Sequence, residues 1–245
     1  MSPNWLPYGS NANMPQGLLT MIAAAEENQD LWTELQFRTL ACRNLHRIPP
    51  SSPSHGSAGM EILQSRFAKR KTSNLRNEIL GSLRPAAVLI PVVRREKLTV
   101  LLTRRAAHLK YHAAEIAFPG GKIEKSDADP MMAALREAEE EIGLHGSFVE
   151  PVGYLDGYLT GTGFHVVPLV AIIEPAFSLT LDPSEVDDAF EVPLSFLMDA
   201  AHHKIQMREW QGRRVSYYTI AYGEHFIWGA TAGMIRNMHE RFTQK

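Results

Sequence analysis

Three glutamates, Glu137, Glu140 and Glu141, follow Arg136 at helix-neighbour spacing, and a Gly120-Gly121 pair stands a short distance upstream. On a helix, positions i, i+3 and i+4 lie close together on one side. Clustered carboxylates repel, and like charges at i,i+4 cost roughly 0.2–0.5 kcal/mol even in an isolated helix. A hard divalent cation offsets that repulsion, because carboxylate oxygens suit Mg²⁺ or Mn²⁺. Such an ion activates water and neutralises charge on a departing phosphate. The glycines let backbone approach phosphate or metal with no side chain between. Neither feature is specific alone: a Glu-rich helix face is usually solvated, and a Gly-Gly pair is equally a turn. Their order and spacing together point to metal-assisted chemistry.

Asp129 is a good N-cap, Pro130 suits the first helical position and Gly143 the C-terminal stop, which predicts a helix over 130–142. Met131, Leu135, Ala138 and Ile142 form its apolar stripe, largely apart from the glutamates. Ahead of it, Ala86 to Val93 and Leu98 to Thr103 are apolar, β-branched runs separated by the charged turn Arg94-Arg95-Glu96-Lys97, the pattern of a hairpin. Further strands are expected at Val149–Leu155, Val166–Ile173 and Arg214–Ala221, and a last helix over about 229–242, giving a mixed α/β domain from residue 85 to 245.

The first 84 residues differ in texture. Leu18, Leu19, Ile22 and Ala23, then Leu31, Leu35 and Leu45, carry helical signals. The run from Ile48 to Ser57, with Pro49, Pro50 and Pro53, reads as an exposed linker. Met60 to Leu83 is a second amphipathic stretch, carrying Ile62, Leu63, Phe67, Leu75, Ile79 and Leu80. Residues 1–84 are therefore expected to be a helical or partly disordered extension, with the catalytic unit starting near Leu83.

Composition narrows the function classes. A formal charge of −2 argues against a broad basic face for nucleic acid. Cys42, the lone cysteine, allows neither an intramolecular disulfide nor a thiolate metal cluster. No apolar run reaches the roughly 18 residues of a membrane span. The polar start, with Pro3, Pro7 and Pro15, does not read as a signal peptide. The expected location is cytoplasmic, and the expected partner is a small nucleotide, with no nucleic acid and no membrane; a homodimer is left open.

The segment resembles the Nudix box, G-x5-E-x7-R-E-U-x-E-E-x-G-U with U aliphatic. Arg136, Glu137, Ala138, Glu140, Glu141, Gly143 and Leu144 fit its second half. Counting from Gly121, Asp127 takes the first Glu slot and eight residues then precede Arg136, an expansion familiar in the coenzyme A diphosphatase branch. Residues Leu101 to Gly121, LLTRRAAHLKYHAAEIAFPGG, resemble that branch's signature LLTxR(S/A)x3Rx3Gx3FPGG, with Lys110 for arginine, Ala114 for glycine and Glu115 where glutamine is common. The resemblance implies a Nudix α/β/α sandwich with a mixed sheet, preceded by the helical extension. It implies Glu137 and Glu141 as metal ligands, Glu140 beside them, Gly120 offering its carbonyl, and Arg136 orienting a glutamate. Glu185, in an acidic loop, is the candidate base, with Glu174 in reserve. Arg105, Lys110 and Gly121 are placed with the substrate, since cations suit a diphosphate carrying a further phosphate.

Glu115, so close to a phosphate, is expected to pair with a neighbour such as Arg105 or Lys122. His108 and His112 show no partner at metal-ligand spacing and read as surface or packing residues, and His202-His203 as a loop pair. Trp228 is expected to pack the start of the last helix. The implied reaction is Mg²⁺- or Mn²⁺-dependent hydrolysis of coenzyme A or an acyl derivative to 3′,5′-ADP and a 4′-phosphopantetheine. The alternatives are another nucleoside diphosphate substrate, such as ADP-ribose or a dinucleotide, and a Nudix-like binding module without turnover.

Overall fold

The computed structural model describes residues 32–55, 75–210 and 213–243. Of the expected N-terminal stripes, Leu18, Leu19, Ile22, Ala23 and Leu31, and Ile62, Leu63 and Phe67, lie outside the described residues, as do Gly56 and Ser57 of the linker.

The chain opens with helix α1 (Glu34–Asn44), the short strand β1 (Pro53–His55) and helix α2 (Leu75–Gly81). Strands β2 (Arg84–Val93), β3 (Thr99–Arg105), β4 (Ile116–Ala117) and β5 (Gly120–Lys122) lead into helix α3 (Pro130–Ile142). Strands β6 (Val149–Tyr154), β7 (Gly157–Leu159), β8 (Phe164–Ile173) and β9 (Val186–Pro193) follow, then the single turn α4 (Leu194–Leu197). A meander of β10 (Lys204–Trp210), β11 (Arg213–Tyr222) and β12 (His225–Trp228) ends in helix α5 (Gly229–Thr243).

Among the described residues the main sheet has nine strands. Its spine is the parallel pair β2 and β8, in unbroken register from Arg84↔Phe164 to Val93↔Ile173. Strands β6 and β7 run antiparallel to β8, and β3 and β5 antiparallel to β2. The expected β2–β3 hairpin is short, pairing only Val92↔Val100 and Val93↔Thr99. Farther along β2 it is β5 that pairs, so Ala87 faces Gly121 and Val88 faces Gly120. β3 instead makes its long ladder with β9, from Thr99↔Pro193 to Arg105↔Val186.

The two-residue alternation of these strands sorts the core into two layers. Odd-numbered side chains, among them Ala87, Leu89, Leu101, Leu169 and Ala171, pack against Ala133, Ala134, Ala138 and Ile142 of α3. Even-numbered ones, among them Ile90, Val92, Leu102, Val170 and Ile172, pack against α1 and α5 through Phe37, Ala41, Ile235, Met238 and Phe242. The result is the expected α/β/α sandwich around a mixed sheet. On the α5 side, Ile220 and Ile227 bring the three-stranded meander into the same core. No helix among the described residues is long and apolar enough to cross a membrane.

Helix α1 is built into this sandwich. Its N-terminus is a capping box: Gln36 N–H donates to Thr33 Oγ1 at 3.2 Å, and Thr33 N–H to Gln36 Oε1 at 2.9 Å. Phe37, Ala41 and Leu45 recur at i, i+4 and i+8 and are buried, Phe37 edge-on to Phe242 at 5.6 Å. Arg38 grips both carboxylate oxygens of Glu150 on β6 at 2.7 Å. The linker is in part a strand, because β1 pairs in parallel with β7. Beside it, Asp156 collects His46 Nε2 at 2.8 Å, His55 Nε2 at 3.1 Å, Arg241 at 2.8 Å and the Asn237 amide at 2.9 Å. One carboxylate thus joins both ends of the described chain to the β6–β7 corner.

Phe37→Ala should cost about 3–5 kcal/mol, as full truncations of buried aromatics do, and lower the melting temperature by roughly 10 °C. A chain starting at residue 83 should lose at least as much; equal melting of the truncated and wild-type chains would show that α1 contributes nothing. Burial alone would raise the Asp156 carboxyl, but hydrogen bonds from His46 and Asn237 and the charge of Arg241 hold it down at about 2. That depression is worth on the order of 2 kcal/mol above the ordinary carboxylate range and is lost as pH falls through about 2. The stability gap between wild type and Asp156→Asn, measured by urea unfolding, should therefore be wide at pH 7 and shrink in acid. A gap independent of pH would disprove this account.

Candidate functional site

The site grows from the seam where α3 meets β5. Asp129 caps the helix, accepting from Met132 N–H at 2.9 Å, and Gly143 ends it in the left-handed region at φ 69°. The residues facing the sheet are Ala133, Ala134, Ala138, Glu141 and Ile142, whereas Met131 and Leu135 are only partly covered. The buried face is therefore rotated from the expected stripe. Small alanines on the sheet side let the helix approach closely, and that rotation carries Glu141 inward.

Each glycine of β5 has its own reason. Gly120 has φ +152°, and a Cβ there would collide with Ala87 O and lie 2.6 Å from Val88 Cα. At Gly121 a Cβ would sit 2.5 Å from the Glu137 carboxylate. The first glycine is required by the sheet; the second makes room for an acid.

Glu141 is 3 % exposed. Its Oε2 accepts the Gly120 N–H at 3.1 Å, and its Oε1 lies 3.7 Å from the Arg105 guanidinium. Burial pushes its carboxyl up to about 7 against the Gly120 and Arg105 contacts, and the charges of Glu185 and Glu137 push the same way. Glu137 is raised as well, first by burial, with Arg136 opposing and Glu140 and Glu185 reinforcing. Gly120 meets this cluster through its N–H.

Arg136 Nη1 reaches Glu140 at 2.9 Å and Glu137 at 3.1 Å, while Nε and Nη2 clasp Asp127 at 3.1 Å each. Asp127 in turn accepts the Glu124 N–H, and these contacts, Arg136 first, hold its carboxyl below the usual range. Glu185 stands on an exposed turn, its backbone carbonyl accepting the Ala106 N–H at 2.8 Å, close enough for its charge to act on both Glu137 and Glu141.

Not every expected residue gathers here. Glu174, the reserve base, pairs with Arg94 at 2.8 Å in the ion-pair group around Glu34, on the α1 side. Lys110 is exposed, its ammonium 5.4 Å from the Tyr111 ring. Glu115 is paired, but with neither Arg105 nor Lys122: its Oε2 lies 2.9 Å from His112 Nδ1, so His112 is more than a surface residue. His203 is buried with Nε2 on Leu197 O at 2.8 Å, and Trp228 packs edge-on to Tyr217 at 5.8 Å just before α5. Ala114 occupies the left-handed region at φ 56°, which gives a physical reason for glycine at that place in the signature.

Among the described residues, no three acidic, imidazole or thiolate groups already converge on one point. The donor chemistry nonetheless fits a divalent cation. Glu185 lies close enough to raise the proton affinity of both Glu137 and Glu141, and Glu137 adds to the effect on Glu141, which pairs loosely with Arg105. The three glutamates are hard oxygen donors, and a carboxylate pushed up to about 7 by burial is what such an ion relieves.

Comparison with known proteins gives the same direction. A family model described as the NUDIX domain matches residues 83–211. The uncharacterized Nudix hydrolase NudL of Escherichia coli strain K12 is 42% identical over 157 residues, 63% of this chain and 81% of that protein. NudL of Shigella boydii serotype 18 matches to the same extent. Among solved structures, a Caenorhabditis elegans Ap4A hydrolase complex is similar at TM-score 0.38 and 19% identity, covering 46% of this chain and 81% of the other. The NUDIX domain of Shewanella oneidensis NrtR is similar at 0.38 and 15%, covering 54% and 84%.

Asp127→Asn keeps size while removing the charge that anchors Arg136. It should lower divalent-ion affinity or turnover about ten- to hundredfold, as loss of a supporting partner does at metal sites. Unchanged values for both would mean that Glu137 and Glu140 alone hold Arg136.

Proposed function

The chain belongs to the Nudix hydrolase family, whose members cleave phosphorus-containing anhydrides in nucleoside diphosphate derivatives, generally with divalent metal ions, and from that premise we propose that its substrate is coenzyme A or an acyl-coenzyme A. The products are 3′,5′-ADP and a 4′-phosphopantetheine, free or acylated. One observation carries the reading. The turn that follows β3, which holds the residues resembling the coenzyme A signature, begins at Arg105, 3.7 Å from Glu141 of the acidic helix. The two motifs therefore meet at a single site.

Glu137 and Glu141, with Glu140 beside them, are the residues that would hold Mg²⁺ or Mn²⁺. Such an ion supplies a more acidic water and neutralises charge on the leaving phosphate. Arg136 and Asp127 keep Glu137 and Glu140 in position. Glu185 takes the proton as water adds to phosphorus and the bridging P–O bond breaks, and Arg105 steadies the negative charge that develops. Gly121 keeps the loop open to the diphosphate.

ADP-ribose or a dinucleotide is the second reading. It is favoured by the departures from the coenzyme A signature, Lys110 for arginine, Ala114 for glycine and Glu115 where glutamine is common. A binding module without turnover fits poorly with so complete a charge cluster.

Glu137→Gln and Glu141→Gln should each lower kcat by about 10²-fold or more, roughly 2.7 kcal/mol of transition-state stabilisation, with circular dichroism unchanged. Wild type with Mg²⁺ should convert coenzyme A faster than ADP-ribose at equal concentration, read by product chromatography. Near-normal turnover in both variants would remove them as ligands. A preference for ADP-ribose would overturn the coenzyme A reading.

A further inference from the structure

We propose that His112 and Glu115 form a charge couple that positions Arg105 and sets the affinity of the site for its anionic substrate. This rests on the reading above only in taking Arg105 to face substrate.

The turn from 106 to 115 leaves β3 at Arg105 and returns to it. Arg105 N–H donates to Glu115 O at 2.9 Å, Ala114 N–H donates to Arg105 O at 3.1 Å, and Glu115 N–H reaches His112 O at 3.3 Å. Whatever fixes the conformation of residues 112–115 therefore fixes the backbone of Arg105. That conformation is unfavourable by itself, since His112 at φ 57° and Ala114 at φ 56° are both non-glycine residues in the left-handed region. Such residues persist only where surrounding contacts hold them. Two things hold them: the ladder of β3 with β4, which pairs Arg104 with Ile116, and the side-chain contact of His112 Nδ1 with Glu115 Oε2 at 2.9 Å. At its other end the turn is tied to the β9 side, where Asp187 accepts the Ala107 N–H at 2.8 Å and Asp188 pairs with Arg104 at 3.1 Å. The His112–Glu115 contact is thus the one ion pair within the turn among the described residues.

The couple also settles a charge problem. An uncompensated carboxylate at Glu115, on the residue bonded to Arg105, would repel a diphosphate. A protonated imidazole beside it cancels that charge. Glu115 raises the proton affinity of His112, against burial and the opposing charge of Arg105; these are the charged groups that act on it, and His108 and Lys110 share the turn. His112 is therefore cationic to a higher pH than an ordinary imidazole. The couple is fully formed below the ordinary histidine range, about 6.5, and is lost as pH rises through the raised value. Substrate affinity should fall over that same interval.

The experiment has two arms. Nuclear magnetic resonance titration of the full chain follows the His112 ring and the Arg105 Nε–H resonance. In wild type both should move with one midpoint above the ordinary histidine value. In Glu115→Gln the His112 midpoint should drop to the ordinary value, and Arg105 should stop following it. KM and kcat are then measured from about pH 6 to 9 with coenzyme A and with ADP-ribose, whose diphosphate does not titrate in that interval.

Wild-type KM should rise about three- to tenfold across the range with kcat changing less. His112→Gln should show the high KM already at pH 6 and a flat profile. Glu115→Gln, alone or with His112→Gln, removes both the repelling carboxylate and the contact that holds the turn, so its KM should be flat with pH and lie between the two wild-type limits. A His112 midpoint indifferent to Glu115→Gln, or a His112→Gln profile parallel to wild type, overturns the proposal. Turnover of ADP-ribose without coenzyme A would sink the substrate assignment while leaving the couple tested by ADP-ribose. With neither substrate turned over, that assignment fails, and the Arg105 resonance decides the couple.

Discussion

An ionisable group at a helix–sheet interface constrains everything around it. Glu141 sits in the seam between α3 and the sheet, 3 % exposed, with Ala138 and Ile142 beside it on the helix. Burying a carboxylate is costly unless it is paired or neutralised. Here the compensation is partial: one backbone N–H from Gly120, and one guanidinium at 3.7 Å. The carboxyl accordingly drifts up to about 7. The glycines of β5 follow from this. A side chain at position 120 would strike Ala87 and one at 121 the Glu137 carboxylate, so the acids and the sheet can be this close only with glycine at both. The alanines of α3 serve the same approach from the helix side.

The opposite face of the sheet carries no chemistry in this reading, but it fixes the geometry. β2 and β8 present alternate side chains to both layers, so α1 and α5 brace the same two strands that support α3 and β5. Phe37 and Phe242 are the apolar part of that brace, and Asp156, with two histidines and Arg241, is the polar part. A carboxylate gathering four partners ties α1, β1 and α5 to one corner. It does so without exposing a charge to the apolar core, because the partners come from the rim.

What was legible in the sequence was what repeats or caps. Helix α3 is announced by Asp129, Pro130 and Gly143, and the spine strands by long β-branched runs. The apolar stripe of α3 coincides with its buried face only at Ala138 and Ile142. Met131 and Leu135 are larger than Ala133 and Ala134, yet close approach to the sheet selects the small residues. Strands of two or three residues, β1, β4, β5 and β7, carry no periodic signal and exist through their partners. Phe37, Ala41 and Leu45 did carry a helical stripe, but nothing local says that a stripe ahead of a proline-rich break packs onto a sheet far along the chain. The partner of Glu115 was hidden for a related reason. Proximity of residues 112 and 115 depends on two left-handed backbone conformations that neither histidine nor alanine advertises.

The two arginines of the site show why residue type alone does not assign a role. A guanidinium has five N–H donors. Around Arg136 five contacts are made: two to Asp127, one each to Glu140 and Glu137, and one to Lys122 O at 3.2 Å. Every donor is engaged, so a phosphate could be bound only by displacing an acid or the Lys122 carbonyl. Arg136 is in effect a bracket, and its positive charge is spent within the helix and the loop before it. Arg105 is the reverse case. Its ion pair among the described residues is a loose one at 3.7 Å, to a carboxylate that also draws on the Gly120 N–H. A guanidinium so lightly committed, fixed by its backbone rather than by its side-chain partners, is able to turn to an incoming anion. The difference has a physical basis: the arginine on the helix is committed to the acids around it, and the one at the strand end is left largely uncommitted.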